Sequence, residues 1–306
     1  MKRLHSLLLC LLTLAGLILI SCQSQPPREK HYQSFASAEA LQDYLSWSPE
    51  KPPLISAHRG GPMPGRGGSG FPENCLETFE NALSYAPCLI ECDVRKSADG
   101  QLFLMHDETL NRTTTGSGPV AAATAAELQR LFLTDAQGRV TPYRIPTLAE
   151  ALEWARGKAI LTLDVKPEVS PSDIVAMIAQ HRAESYVTII TYNLETAHLY
   201  QRLNPNLVIS APAQGLVGVQ RLLASGIPAK NLMGFVGVYE PPPQIYDLLH
   251  QQGIRAILGT IGNLDRKAEK RGVSVYVELL KNGADVLATD NVGLGGKAIE
   301  KYIRER

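Results

Sequence analysis

The chain has 306 residues, with 30 Lys and Arg against 30 Asp and Glu, so its formal charge is zero. Residues 1–21 carry Lys2 and Arg3 and no acid, so the remainder stands at 28 against 30, which argues against nucleic acid as the main partner. A hydrophobic fraction of 44% excludes wholesale disorder, a single long apolar run excludes polytopic membrane architecture, and the length fits one large α/β domain or two smaller ones.

The chain opens with a short basic stretch, Lys2 and Arg3, and an apolar run from Leu7 to Ile20. The run is short for a membrane span, which needs roughly 17–25 residues. It ends in Leu19-Ile20-Ser21-Cys22, which resembles a bacterial lipobox. The resemblance implies a signal peptide over residues 1–21, cleavage before Cys22 and lipidation of its sulfur. Gln23, not Asp, follows the Cys, so the outer membrane is favoured over inner-membrane retention. Residues 22–50 then read as a lipidated tether carrying a short helix over 36–47. Cys75, Cys88 and Cys92 remain, an odd number with no zinc spacing, and are expected as buried free thiols.

From residue 51 to 306 short β-rich runs alternate with helical stretches. Strands are predicted over 54–58, 89–94, 102–106, 159–165, 187–192, 207–211, 232–239, 255–259 and 286–289. Helices are predicted over 76–84, 124–133, 147–156, 172–182, 194–203, 215–224, 242–251, 264–281 and 293–304. Such alternation predicts an α/β fold with a parallel sheet, closed as a (β/α)₈ TIM-type barrel. Nine strands are one too many, and the surplus is expected among 207–211 and 232–239. Only eight residues separate Asp93 from Leu102, too few for the usual helical crossover, so the helix after the second strand is expected to be missing.

Polar residues gather at the C-terminal ends of the first four predicted strands, the active face of a parallel barrel. These are His58-Arg59, Glu91 and Asp93, His106-Asp107, and Asp164 with Lys166. Glu91 and Asp93 share one strand face with Cys92 on the other, as the two-residue period dictates. Neighbouring carboxylates repel unless a cation lies between them, and three of them suit Ca²⁺ or Mg²⁺ better than zinc. The alternative is a solvated acidic rim paired with Arg95 and Lys96. His58 and His106 provide two imidazoles at neighbouring strand ends, one to accept a proton and one to donate it. Arg59 and Lys166 are placed to hold a phosphate. His31, His181, His198 and His250 read as ordinary surface residues.

These motifs, in order, resemble the glycerophosphodiester phosphodiesterase family. The resemblance rests on His58-Arg59-Gly60, Pro72-Glu73-Asn74, Glu91-Cys92-Asp93 and His106-Asp107, followed by Leu110-Asn111-Arg112-Thr113-Thr114 and Gly116. It continues through Ile145-Pro146-Thr147-Leu148, Asp164-Val165-Lys166 and Thr289-Asp290, so it covers residues 54–291. It implies hydrolysis of glycerophosphodiesters to glycerol phosphate and an alcohol, in glycerophospholipid metabolism, with one divalent cation. By position, Glu91, Asp93 and Asp164 would be metal ligands, His58 and His106 the acid–base pair, Glu73 a support near the metal and His58, and Arg59 and Lys166 the phosphate grip. The implied mechanism is attack by the glycerol 2-hydroxyl and opening of a cyclic phosphate by water.

Four features depart from that family. Its third ligand is usually Glu, here Asp164; it commonly has Thr at Cys75; a Gly/Pro-rich insert spans Gly61 to Gly70; and its Trp-Thr is replaced by Gly259-Thr260-Ile261-Gly262-Asn263. Two rivals stand beside the main reading: a phospholipase D-like activity on intact or lyso phospholipids, which an apolar rim at the barrel mouth would favour, and a non-catalytic lipoprotein that captures phosphorylated ligands. No protein partner is inferred.

Overall fold

In the computed structural model, which describes residues 30–62 and 70–306, eight parallel strands close into a barrel. They are β1 (Leu54–Ala57), β2 (Cys88–Lys96), β3 (Ile160–Val165), β4 (Val187–Ile190), β5 (Val208–Pro212), β6 (Leu232–Gly237), β7 (Arg255–Gly259) and β8 (Val286–Thr289). Closure comes from β8 pairing in register with β1, Leu54 opposite Val286 and Ala57 opposite Thr289.

Alternation along each strand sorts the core into two shells. Cys88, Ile90, Cys92 and Val94 of β2, with Leu161 and Leu163 of β3, face the surrounding helices. Leu89 and Ile160, one residue out of phase, join Leu54, Val208, Met233, Ile257 and Val286 inside the barrel near its base. Strands buried on both faces read as nearly continuous apolar runs, which is why they stand out in the sequence.

The base is closed by α1 (Ala38–Leu45), capped by Ser37 and packed into the lower barrel through Leu41 and Leu45, each 1% exposed. The short helix expected within the tether is therefore part of the barrel. Residues ahead of it also run along the base: the His31 N–H donates to Leu83 O and the Gln33 N–H to Lys158 O, both at 2.8 Å. The outer ring is α2 (Leu76–Ala82), α3 (Leu148–Ala155), α4 (Pro171–His181), α5 (Leu194–Leu203), α6 (Gly215–Leu223), α7 (Pro243–His250), α8 (Asn263–Arg271), α9 (Ser274–Lys281) and α10 (Val292–Glu305). Reciprocal capping boxes and Asx or Ser caps start several of them, as at Thr147 with Glu150, at Ser170 followed by Pro171, and at Asn193. The helix expected over 264–281 is two helices, because Gly272 adopts φ +86° between α8 and α9.

The strand count is corrected by the structure. Both 207–211 and 232–239 supply barrel strands, β5 and β6. The surplus strand is Leu102–Leu104, which turns back on β2 and pairs antiparallel to it, Val94 opposite Leu104 and Lys96 opposite Leu102. No helix follows β2 directly, as expected, but the reason is a hairpin and not a bare parallel return. The chain then makes an excursion with a second short hairpin, Phe132–Thr134 against Val140–Arg144, before α3 crosses over to β3. The excursion has its own small core of Phe103, Met105, Leu110, Val120, Leu128, Leu133 and Ile145.

The three cysteines 75, 88 and 92 are free and buried, and burial pushes the Cys88 thiol up to about 12. The apolar run, Cys22 and most of the Gly61–Gly70 insert lie outside the described residues. Among the described residues no helix is long and apolar enough to cross a membrane.

Candidate active site

β1 ends in a tight turn, His58–Gly60, that brings the chain across the barrel mouth. Arg59 (φ 51°) and Gly60 (φ 85°) both adopt left-handed backbone, and a Cβ at Gly60 would lie 2.4 Å from the Phe79 ring, so only glycine fits there. The strain at Arg59 aims its backbone N–H at Glu91 Oε2, 2.7 Å away. Asn74, also left-handed at φ 54°, donates its N–H to Arg59 O at 3.0 Å. Its side chain clasps Asp93 at both ends: the amide donates to Asp93 Oδ2 at 2.7 Å and its oxygen accepts from the Asp93 N–H at 2.9 Å.

Glu91, Asp93 and Asp164 converge inside the mouth, with one carboxylate oxygen of each within 4.8 Å of the others. The register of β2 and β3 sets this, since Asp93 lies opposite Asp164 and Glu91 opposite Thr162. All three are buried. Burial, then the Asp93 charge, raises the Glu91 carboxyl to about 8. Burial raises Asp93 too, but the Lys166 ammonium outweighs it and holds that carboxyl below its ordinary value. Lys166 Nζ stands 2.5 Å from Asp93 Oδ1 and 2.7 Å from Asp164 Oδ2. The Tyr192 hydroxyl also donates to Asp164 Oδ2, at 2.8 Å, while Asp164 Oδ1 is buried with no hydrogen-bond partner. An all-oxygen donor set with an unsatisfied buried carboxylate oxygen fits a hard divalent cation. The solvated-rim alternative fails: Arg95 pairs with Glu168 and Lys96 with Asp173, not with this trio.

The two imidazoles flank the trio, each backed by a carboxylate. His58 Nδ1 lies 2.7 Å from Asp290 Oδ1, at the end of β8. Burial alone would lower the His58 imidazole, but the Asp290 hydrogen bond and the Glu91 charge outweigh it and hold it above its ordinary value. His106 reaches the mouth because the antiparallel strand returns it to the level of Asp93, where the Met105 N–H donates to Asp93 O at 2.9 Å. Its Nδ1 lies 2.8 Å from Asp107 Oδ1. Arg112 forks onto Asp107 at 2.7 and 2.9 Å, and holds that carboxyl well below the usual range. The same guanidinium forks onto Glu73 at 2.8 and 2.7 Å, and Glu73 also accepts from Arg59 at 3.0 Å. Glu73 thus meets the site through two arginines. A carboxylate on Nδ1 fixes the tautomer and leaves Nε2 of each imidazole for other chemistry.

A cavity of about 410 Å³ lies over these groups. Its polar wall is His58, Glu91, Asp93, His106, Asp164 and Lys166; the rest of the lining mixes the apolar Ile190, Pro212, Phe235, Ile257 and Ile261 with Thr191, Tyr192, Ser210 and Gln214. The six sequence-predicted groups of the polar wall are therefore brought together. Arg59 and Glu73 stand behind it. The partners to which the sequence assigns no role are Asp290, Asp107, Arg112, Asn74 and Tyr192. The first four lie inside quoted motifs, but nothing in the sequence pairs Asp290 with His58 across 232 residues. His250, read as a surface residue, instead stacks on Trp47 at 4.2 Å and meets Asp285 at 2.8 Å beneath the barrel. Cys75 is the N-cap residue of α2, where the usual Thr would cap; its thiol makes no cap and donates to Glu77.

Residues 58–294 match the Glycerophosphoryl diester phosphodiesterase family. A glycerophosphodiester phosphodiesterase of Caldanaerobacter subterraneus subsp. tengcongensis is 28% identical over 246 residues, covering 78% of this chain and 94% of that one. A glycerophosphoryl diester phosphodiesterase crystal structure from Parabacteroides distasonis superposes with a TM-score of 0.81 at 34% identity, over 89% of this chain and 95% of the other. The fold is shared with an Oleispira antarctica phosphodiesterase solved with the product sn-glycerol-3-phosphate, at TM-score 0.64 and 21% identity, over 81% and 97% of the two chains. With the family covering most of the barrel, the chain belongs to the glycerophosphodiester phosphodiesterases, a family of phosphoric diester hydrolases that hydrolyse glycerophosphodiesters.

Proposed function

We propose that this chain is a metal-dependent glycerophosphodiester phosphodiesterase that releases glycerol phosphate and an alcohol from deacylated phospholipids. The observation that carries the reading is the buried Glu91, Asp93 and Asp164 cluster between two carboxylate-backed imidazoles. Those three residues would hold Ca²⁺ or Mg²⁺, which when bound supplies Lewis acidity toward the phosphoryl oxygens and the glycerol hydroxyl. The remaining chemistry belongs to the side chains. One imidazole takes the proton of the glycerol 2-hydroxyl as that oxygen attacks phosphorus. The other protonates the departing alkoxide, which leaves as the free alcohol. The two then exchange roles while water opens the cyclic phosphate to glycerol phosphate. Lys166, on the cavity wall, supplies the positive charge that faces the diester, and Arg59, paired with Glu73, adds charge from behind that wall.

The test is turnover of a panel of glycerophosphodiesters by metal-stripped protein titrated with Ca²⁺ or Mg²⁺. Asp164→Ala should lose the metal response, and Asp164→Glu should keep it with a changed Ca²⁺/Mg²⁺ preference. If Asp164→Ala titrates as the parent does, Asp164 is no ligand. Export as a lipoprotein through Cys22, to the outer membrane, is part of the same proposal and rests on Leu19-Ile20-Ser21-Cys22.

One observation favours a second reading, phospholipase D-like action on lysophospholipids. Tyr192, Leu216, Val217, Val238 and Tyr239 are exposed by 42–72%, on the loops after β4 and β6 and in the first turn of α6 after β5, at the barrel end where Tyr192 lines the cavity. A lysophospholipid keeps the free 2-hydroxyl that the cyclic route requires, whereas an intact diacyl lipid does not. Comparing kcat/KM on glycerophosphocholine and lysophosphatidylcholine separates the two readings.

A further inference from the structure

Behind the site lies a buried carboxylate that takes no part in the reaction as derived. Asp265, in the first turn of α8, is 3% exposed. Its Oδ1 accepts from the Tyr276 hydroxyl at 2.6 Å and the Thr289 hydroxyl at 3.0 Å. Its Oδ2 accepts from the backbone N–H of Asp290 at 3.1 Å. Tyr276 and Thr289 are fully buried. On the near side, the Asp265 N–H donates to Thr260 O at 2.8 Å, and the Thr260 hydroxyl donates to Ala288 O at 3.0 Å. Asp265 therefore ties the loop after β7 through its backbone N–H, and the helix α9 and the last two residues leading out of β8 through its carboxylate. Burying an ionised carboxylate is costly unless its lone pairs are met, and here three donors meet them from both sides.

We propose that Asp265 is a positioning residue for the reaction: by fixing the backbone at Thr289 and Asp290 it aims the Asp290 carboxylate, and through it sets the tautomer and ring orientation of His58. The path is short and continuous. Asp265 Oδ2 holds the Asp290 N–H, Asp290 Oδ1 meets His58 Nδ1 at 2.7 Å, and His58 faces the cavity. Asp290 follows β8 directly and precedes the cap of α10 at Asn291, so its direction is set where strand becomes helix. The Thr289 hydroxyl serves both neighbours, donating to Asp265 and accepting from the Asn291 N–H at 3.0 Å. This rests on the reading of His58 as one of the two proton-exchanging groups.

Asp265→Asn tests it with almost no change of shape. An amide has one acceptor and one donor end, so either its NH₂ meets the Asp290 N–H, donor against donor, or it turns that NH₂ to Tyr276 and Thr289 and forces their hydroxyls to reverse. In the full chain purified in detergent and labelled with ¹⁵N-histidine, His58 should lose its single Nδ1-protonated pattern. Turnover of glycerophosphocholine should fall in kcat by roughly 10- to 100-fold, the scale of lost orientation at a catalytic group, with KM within about threefold. If that variant does not fold, Tyr276→Phe removes one donor only and should shift the same two readouts in the same direction, with kcat down by roughly 3- to 10-fold. A folded variant with the parent's kcat and the parent's His58 pattern overturns the proposal. So does a variant that loses thermal stability alone, because Asp265 then serves packing only. Should the parent itself fail to turn over any glycerophosphodiester, the functional reading falls, while the His58 pattern still decides whether Asp265 aims Asp290.

Discussion

Glu91 is raised to about 8 by burial and by Asp93, so a cation that uses it must displace a proton below that value. Its folded value lies above the ordinary 4.5, so without metal its share of stability is present below about 4.5 and is lost as the pH rises through about 8. A bound cation restores what is lost. The increase in melting temperature on adding Ca²⁺ or Mg²⁺ should therefore grow from pH 5 to pH 8 and level off above, with apparent affinity rising up to roughly tenfold per unit. Glu91→Gln should flatten that slope; a slope that survives it removes Glu91 from the ligand set. The imidazoles make the second prediction at this scale. His58→Ala and His106→Ala should each lower kcat by roughly 10²- to 10⁴-fold while the fold is kept. Their carboxylate partners Asp290 and Asp107 should matter less, since each orients a ring and exchanges no proton with substrate. A folded His58→Ala, His106→Ala double variant with near-parental turnover would contradict the assigned chemistry.

Elements decide which of these residues could be read in advance. Glu91 with Asp93 and Asp164 with Lys166 were legible because alternate residues of one strand share a face, whatever the rest of the chain does. Their partners were not, because they arrive from loops elsewhere in the sequence: Asn74 on Asp93, Asp290 on His58, Arg112 on Glu73. The same limit explains the strand count. Leu102–Leu104 is as apolar as any barrel strand, and only its antiparallel pairing, made through the turn at Ser97–Gly100, takes it out of the barrel. The hairpin of Phe132–Thr134 and Val140–Arg144 is not legible in the sequence, because its second strand is largely exposed and contains Pro142. For α1, periodicity revealed a helix, but nothing local showed that Leu41 and Leu45 seal the barrel base. Leu41→Ala should cost about 2–5 kcal/mol, as large cavities under packed strands do. Because α1 lies at the end opposite the mouth, KM for a glycerophosphodiester should stay as in the parent. Chemical denaturation and steady-state kinetics on one preparation check both halves, and a raised KM would show that the base communicates with the site.

The molecule has two ends, and the proposed anchor belongs to one of them. Lys30 bonds to Glu80 O at 2.8 Å, and His31 and Gln33 bond to Leu83 and Lys158, which lie where chains enter the barrel from below. Seven residues, 23–29, separate this point from Cys22. Fully extended they reach about 25 Å. A six-residue strand alone rises roughly 20 Å, and the loops on both ends add to that. With Cys22 lipidated as proposed, a link of this reach would hold the base toward the bilayer, being too short to pass the side of the barrel and turn the mouth onto the same membrane. The exposed apolar side chains Tyr192, Leu216, Val217, Val238 and Tyr239, which follow the C-terminal ends of their strands, would then face away from the anchoring leaflet. Protein inserted in vesicles through lipidated Cys22 should hydrolyse a water-soluble glycerophosphodiester with the same kcat/KM, within about twofold, as the Cys22→Ala form in solution. Lysophospholipid embedded in the same vesicles should be a poor substrate for the anchored protein. Inserting about 20 Gly/Ser residues after Gln23, which adds an average flexible reach of roughly 25 Å and more when stretched, should raise that second activity and leave the first unchanged. If anchoring instead suppresses the soluble reaction, the mouth rests on the membrane and the base is not the tethered end.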